Sequence, residues 1–211
     1  MPKRIKMQTL LNKYRVFIWD FDGTLFDTYP ETVRAYCELL SGAGINVPPE
    51  TVEEKARQSF GVLHEYLTRE YGLEKEFYEK CHARRRELEP LFSHPFPGAK
   101  EFCEKVAANG GENWLYTHRD GSALALLDGA GMKDLFSDFL LGTDGFPWKP
   151  APDALEALAA RNGRDKSGCI MIGDREIDVL AGRNAGMDSC LLMPYDPAAP
   201  TAAKYLCRGF Y

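Results

Sequence analysis

The feature that most constrains the fold is a repeated alternation between short, wholly apolar runs and longer amphipathic stretches. The first run, Val16–Trp19, lies between Arg15 and Asp20 and contains no polar residue, which is typical of a strand buried on both faces. Similar runs occupy residues 114–116, 139–141, 169–172 and 190–193. Between them, apolar residues recur at helical spacing over residues 99–108, 121–130, 152–160 and 176–185. This alternation predicts an α/β fold, in which a parallel sheet carries helices on both faces.

The alternation is interrupted between about residues 29 and 91, where no strand pattern occurs. Helical patterns cover residues 31–40, 49–59, 63–71 and 74–88, and the chain returns through the Pro-rich segment 93–98. We therefore expect a core domain of residues 1–28 and 95–211 and an inserted, all-helical cap subdomain of residues 29–94, with hinges at 25–29 and 93–98. The alternative is that these extra helices pack on the sheet without freedom to move.

Charge and composition restrict the classes of function. The chain of 211 residues has 26 Lys and Arg against 31 Asp and Glu, a net charge of −5, which argues against a nucleic-acid binder that works through bulk basic charge. The longest aliphatic run, residues 123–127, is far shorter than the roughly 20 residues of a membrane helix. No apolar stretch of signal-peptide length follows the basic N-terminal residues. We expect a cytoplasmic protein with no membrane or nucleic-acid partner, while the sequence does not address its oligomeric state.

Acidic residues follow two of the predicted strands. Asp20 and Asp22 come after the first strand, and Asp174 and Asp178 come after the fourth. Ligands of an open parallel sheet bind outside the carboxyl ends of its strands, so the four carboxylates are expected to converge. Such a cluster needs a cation, and an all-oxygen ligand set favours Mg²⁺. The alternative for each aspartate is a role in capping a helix or a turn.

Groups that suit a phosphate follow the same strand ends. Gly23 permits a sharp turn that would present the backbone N–H groups of the segment from Asp22 to Thr24. Thr117 follows the second strand with a hydroxyl donor, and Lys149 follows the third with a point charge. Considered alone, Lys149 would be interpreted as a surface lysine and Thr117 as an ordinary strand residue. Their order along the chain favours a phosphate site.

Taken together, the motifs resemble the four-motif signature of the haloacid dehalogenase-like hydrolase superfamily. They read Asp20-x-Asp22-Gly23-Thr24, then Thr117, then Lys149-Pro150, then Gly173-Asp174-x-x-x-Asp178. The phrases over residues 22–28 and 149–153 are similar to those of the phosphoglycolate phosphatase and β-phosphoglucomutase branch. The resemblance extends from Val16 to about Met193. It implies a Rossmann-like core and a helical cap that closes over the site.

The resemblance also implies a function, namely Mg²⁺-dependent hydrolysis of a small phosphorylated metabolite through an aspartyl-phosphate. Asp20 would be the nucleophile and Asp22 the general acid and base. Thr117 and Lys149 would hold the phosphate oxygens, with Gly23 and Thr24 adding contacts. The metal ligands would be Asp20, Asp22 through its backbone carbonyl, and Asp174, with Asp178 in support. The alternatives are a sugar phosphomutase of the β-phosphoglucomutase type and a non-catalytic binding module with the same fold.

Two places bear on specificity. Relatives commonly carry Asn after the position of Thr117, whereas this chain has His118-Arg119; we expect both side chains to face the substrate, the alternative being an exposed loop pair. Residues 59–62 resemble the cap loop that helps to select substrates, which makes Phe60 and Gly61 candidate contacts. His64 is a weaker candidate, and the basic run over residues 82–86 is interpreted mainly as a solvated helix face.

Overall fold

The computed structural model describes residues 2–192 and 200–211. The strands in these residues are β1 (Lys3–Arg4), β2 (Val16–Trp19), β3 (Phe26–Asp27), β4 (His94–Pro95), β5 (Glu112–Tyr116), β6 (Phe136–Leu140), β7 (Cys169–Gly173), β8 (Asp188–Leu192) and β9 (Tyr205–Cys207). The α-helices are α1 (Tyr29–Gly42), α2 (Pro49–Gln58), α3 (Phe60–Tyr71), α4 (Lys75–Phe92), α5 (Ala99–Ala108), α6 (Ser122–Gly129), α7 (Asp153–Arg161) and α8 (Glu176–Asn184). Short 3₁₀ helices occupy Met7–Asn12, Lys133–Leu135 and Lys166–Gly168.

The chain forms two compact units. The first comprises the chain up to Phe26 together with Pro95–Tyr211, and the second is Asp27–His94. The chain passes from one unit to the other within β3 and within β4, and these two short strands pair with each other. None of the helices in the described residues is both long and apolar enough to cross a membrane.

The first unit is built on a parallel sheet, as the sequence predicts. Its seven strands in the described residues have the order β1-β9-β8-β7-β2-β5-β6. β2 lies between β5 and β7, and Trp19 at its end is level with Leu115 and Ile172. The carboxyl ends of β2 and β7, which are followed by the motifs that contain Asp20 and Asp174, therefore lie side by side. The predicted α/β class is confirmed.

β2 is an interior strand of the sheet, and its side chains are buried on both faces. Phe17 and Trp19 belong to one apolar core, whereas Val16 and Ile18 belong to another on the opposite face. Successive side chains of a strand point to opposite faces, so an uninterrupted apolar run must be covered on both sides. Helices α5 and α6 contribute to the first core, and α7 and α8 contribute to the second.

The second unit is helical and has a core of its own. α1 packs on α2 and α4, and α2 packs on α3. The core consists of buried side chains from all four helices, chiefly Tyr36, Leu40, Val52, Leu63, Leu67 and Cys81. The absence of strand patterns in residues 29–91 therefore reflects a helical bundle, and helices α1 to α4 account for the four helical stretches that the sequence predicts.

Several predicted boundaries were wrong for local reasons. The predicted strand 139–141 begins earlier and ends at Leu140, since the Leu141 N–H donates to Asp144 Oδ2 at 2.8 Å. Helix α3 begins at Phe60 rather than at residue 63, because Ser59 Oγ accepts the N–H of Val62 at 3.0 Å and caps the helix. The segment 59–62, which resembles a loop, is thus mostly the first turn of α3. Met193, the last residue of the predicted strand 190–193, lies outside the described residues.

Candidate active site

Asp20 directly follows the interior strand β2 and is only 3% exposed. Its backbone N–H donates to the carbonyl of Ile172 at 2.9 Å, so the chain is still in register with β7 at this residue. The chain then turns sharply at Gly23, whose φ of 76° favours glycine, and the Gly23 N–H donates to the carbonyl of Phe26 at 2.8 Å. Thr24 Oγ1 donates to Asp20 Oδ2 at 3.4 Å. Asp20, Gly23 and Thr24 thus form one tight loop at the carboxyl end of the sheet.

Lys149 links this loop to the end of the neighbouring strand. Its Nζ donates to Asp20 Oδ1 at 2.7 Å, to Asp178 Oδ1 at 2.8 Å and to the carbonyl of Tyr116 at 2.8 Å. Burial lowers the pKa of Lys149, but the carboxylates of Asp178 and Asp20 outweigh it and raise the pKa above its ordinary value. Burial raises the pKa of Asp20 to about 6, although the Lys149 ammonium acts in the opposite direction. Lys149 is therefore a buried cation that offsets the acidic residues around it.

Three aspartates form a cluster that suits a hard cation. One carboxylate oxygen each from Asp20, Asp174 and Asp178 lies within 4.8 Å of the other two. Asp178 Oδ2 also accepts the backbone N–H of Arg175 at 3.1 Å. The close approach of Asp178 requires glycine at position 173, because a Cβ on Gly173 would lie closer to the Asp178 side chain than real Cβ atoms come to their neighbours. The donor set is all oxygen, which fits Mg²⁺.

The carboxylate of Asp22 points to a different partner. Arg119 Nη1 donates to Asp22 Oδ1 at 2.6 Å, and the Arg119 side chain is 4% exposed against 27% for Asp22. Thr117, itself buried, accepts the backbone N–H of Arg119 on its Oγ1 at 3.1 Å. Arg119 thus contacts a candidate catalytic residue, a partner that its sequence position did not reveal. The prediction that it contacts substrate stays a prediction.

His118 also has a partner within the protein. Its Nε2 accepts the backbone N–H of Lys149 at 3.0 Å, which requires the proton of the neutral ring to be on Nδ1. Burial and the charges of Lys149 and Arg175 lower the pKa of His118 to about 4. The ring packs against Trp148, with centroids 4.4 Å apart. His118 therefore helps to fix the backbone at Lys149, and its contact with substrate stays a prediction.

The candidate residues of the second unit lie on and beside α3. The ring of Phe60 lies 5.0 Å from that of His82, and the Arg85 guanidinium lies 4.8 Å above it. His64 Nε2 is bonded to the hydroxyl of Tyr36 at 2.6 Å. Arg85 is only 12% exposed, so the basic run 82–86 is not simply a solvated face. Contacts of Phe60 and Gly61 with substrate stay a prediction.

Sequence reasoning missed two features of this site. The first is the Arg119–Asp22 pair, which joins residues 97 positions apart in the chain. The second is Arg175, whose charge opposes the rise in the pKa of Asp20 and helps to lower the pKa of His118. The one sequence feature that could have pointed to Arg175 as a site residue is its position between Asp174 and Asp178. The residues of the four motifs, by contrast, lie at neighbouring strand ends, as the sequence predicts.

A family model described as haloacid dehalogenase-like hydrolase matches residues 14–186. This chain belongs to that family. The matched region begins just before β2 and ends after α8, and it includes all four motifs. It also contains the whole second unit.

Individual relatives agree with the family. The chain is 29% identical over 206 residues to a phosphoglycolate phosphatase of Vibrio parahaemolyticus, covering 90% of this chain and 89% of the relative. It is 30% identical to a hydrolase of Streptococcus pneumoniae whose crystal structure it matches with a TM-score of 0.67, covering 86% of this chain and 94% of the other. A predicted phosphoglycolate phosphatase from Haemophilus somnus gives a TM-score of 0.80 at 19% identity, covering 93% and 95%. The last comparison supports the fold alone.

Proposed function

We propose that this protein is a Mg²⁺-dependent phosphatase that hydrolyses a small phosphomonoester through an aspartyl-phosphate on Asp20. The observation that carries the proposal is the buried arrangement of Asp20, Lys149 and Asp178, in which one lysine bonds to two carboxylates at 2.7 and 2.8 Å. A nucleophile and a fixed cation side by side are what phosphoryl transfer requires. Membership of a hydrolase family and the likeness to phosphoglycolate phosphatases point to the same reaction.

In the first step, a carboxylate oxygen of Asp20 attacks the phosphorus and forms the acyl-phosphate bond. The ester P–O bond breaks, and its electron pair leaves with the alcohol oxygen. Asp22, two residues further along the turn, donates the proton that this oxygen needs. Lys149 and Thr117 lie at the same end of the sheet and would bind the phosphate oxygens.

In the second step, a water molecule attacks the phosphorus of the aspartyl-phosphate. Asp22, now a carboxylate, accepts a proton from that water. The acyl-phosphate P–O bond breaks, which restores the Asp20 carboxylate and releases inorganic phosphate. The same residue therefore gives a proton in one step and takes one in the next.

The metal is proposed from the ligands that the fold brings together. Asp20, Asp174 and Asp178 have carboxylate oxygens within 4.8 Å of one another, and the backbone carbonyl of Asp22 would complete the protein's share of ligands. Bound there, Mg²⁺ would supply positive charge that offsets the charge of the phosphate. We assign the helical unit, with Phe60 and Gly61, the role of a cap that selects the substrate and restricts access of water.

The first test is an assay of released inorganic phosphate. The purified protein is given p-nitrophenyl phosphate and then a panel of phosphorylated metabolites that includes phosphoglycolate, with Mg²⁺ or with chelator. We expect Mg²⁺-dependent turnover, abolished by Asp20→Asn and unchanged by Asp134→Asn, which alters an exposed aspartate. Sugar phosphates are also analysed for isomers, because a phosphomutase would form isomer instead of phosphate.

Two outcomes would contradict the proposal. Turnover by Asp20→Asn within a few-fold of the wild-type protein would exclude the covalent mechanism. Full activity in chelator would exclude the metal.

A further inference from the structure

Arg119 forms hydrogen bonds through its backbone N–H, its backbone carbonyl and its side chain. Its backbone N–H donates to Thr117 Oγ1 at 3.1 Å, and its carbonyl accepts the N–H of Gly142 at 2.8 Å. Its Nε donates to Ser122 Oγ at 3.3 Å. The guanidinium also lies 5.3 Å above the ring of Phe21. These contacts fix both the backbone and the side chain of a residue that is 6% exposed.

Arg119 also forms an ion pair with Asp22. The distance of 2.6 Å from Nη1 to Oδ1 is that of a charge-assisted hydrogen bond. Asp22 itself is 27% exposed and lies beside the left-handed turn at Gly23, so packing alone constrains its side chain less than that of a buried residue. A rigid arginine bonded to one carboxylate oxygen restricts the orientation of the whole carboxyl group.

We propose that Arg119 is a positioning residue, which holds the carboxyl group of Asp22 in the orientation from which it exchanges a proton with the leaving-group oxygen. The inference rests on the proposed phosphatase function. It assigns Arg119 a different role from that of a phosphate ligand. It also differs from a merely structural role, because the effect of Arg119 is exerted through one reacting side chain.

Two matched substrates separate these roles. Phenyl phosphate and p-nitrophenyl phosphate have nearly the same size, but phenol is the poorer leaving group and depends more on a proton from Asp22. We expect Arg119→Met to lower kcat/KM for phenyl phosphate about tenfold more than for p-nitrophenyl phosphate. The inhibition constant for inorganic phosphate should change less than about threefold. Asp22→Asn should show the same dependence on the leaving group.

A double-mutant cycle tests whether Arg119 acts through Asp22. In the Asp22→Asn background, Arg119→Met should lower kcat/KM for phenyl phosphate by less than about threefold, since the side chain that it positions can no longer donate a proton in the same way. Arg119→Lys should recover part of the kcat/KM that Arg119→Met loses with phenyl phosphate, and it replaces Arg119→Met in the cycle if that variant does not fold. The control is Arg161→Met, which removes an arginine paired with Asp138 at 42% exposure and should leave both substrates unaffected.

The outcomes are distinct. Equal losses on the two substrates, or additive losses in the cycle, would overturn the positioning role and leave the phosphatase function standing. An inhibition constant for phosphate that rises tenfold or more would identify Arg119 as a phosphate ligand instead. A wild-type protein that releases no phosphate from any substrate would overturn the proposed function itself.

Discussion

Replacing Lys149 by Met should destabilise the protein far more than a single surface ion pair would suggest. The Lys149 side chain is fully buried, and its two carboxylate partners, Asp20 and Asp178, are 4% and 0% exposed. Met fills a similar volume but carries no charge and no hydrogen-bond donor. The substitution therefore leaves two buried carboxylates close together without the cation that joins them.

The magnitude follows from the partners that remain. Removing one member of a buried ion pair costs about 3–5 kcal/mol, and the Tyr116 carbonyl loses a hydrogen bond worth about 1 kcal/mol. Proton uptake by Asp20 limits the total loss in the free energy of unfolding. The pKa of Asp20 is raised to about 6 by burial even with Lys149 present, so protonating it at pH 7 costs only about 1.4 kcal/mol. We expect a net loss of about 3 kcal/mol in the free energy of unfolding at pH 7.

The assay is urea unfolding in chelator, followed by tryptophan fluorescence. All three tryptophans lie in the first unit, and Trp19 and Trp114 are fully buried there, so the signal reports the unit that contains Lys149. The matched control is Lys204→Met, which removes a lysine 2.6 Å from Asp188 but 50% exposed. This control should lose no more than about 1 kcal/mol.

The dependence on pH gives a second check. Without the Lys149 ammonium, which opposes the effect of burial, the folded-state pKa of Asp20 rises further above its unfolded value, so the stability that protonation of Asp20 provides is lost as pH rises through that pKa. The deficit of Lys149→Met relative to wild type should therefore be smaller at pH 5 than at pH 7. A loss below about 1 kcal/mol, or a deficit that does not change with pH, would refute this reasoning.

Three further predictions follow. Gly173→Ala should displace the Asp178 side chain and cost about 1–3 kcal/mol together with most of the activity, whereas Gly129→Ala, with open space in a helix, should be neutral or stabilising in the same unfolding assay. His118 should titrate near pH 4 by NMR, so its contribution to stability is present above pH 6.5 and is lost as pH falls towards 4; a pKa of 6.5 or more would contradict its burial. Asp174→Ala should raise the Mg²⁺ concentration for half-maximal activity at least tenfold, and an unchanged requirement would remove Asp174 from the ligands.

The sequence by itself determined the elements that are long enough to carry a pattern. Val16–Trp19 must be a strand buried on both faces, because four apolar residues in succession leave no solvated side, and all four residues of β2 are buried, as expected. The helix Ala99–Ala108 matches its predicted bounds, since apolar residues at helical spacing define it. The sequence also predicted that the motifs come together at one edge of the sheet, because parallel strands bring their carboxyl ends to one edge.

Short elements and side-chain partners depended on the tertiary structure. β1 and β9 have two and three residues, too few for a periodicity, and they are strands because β9 pairs with β8 and β1 pairs with β9. The bonds of Lys149 to Asp20 and of Arg119 to Asp22 join residues 129 and 97 positions apart. Sequence spacing specifies geometry only within one helix or strand, whereas these distances are set by how the strands pack against one another. The residue types at the site could therefore be read from the chain, but which cation meets which carboxylate was decided by the fold.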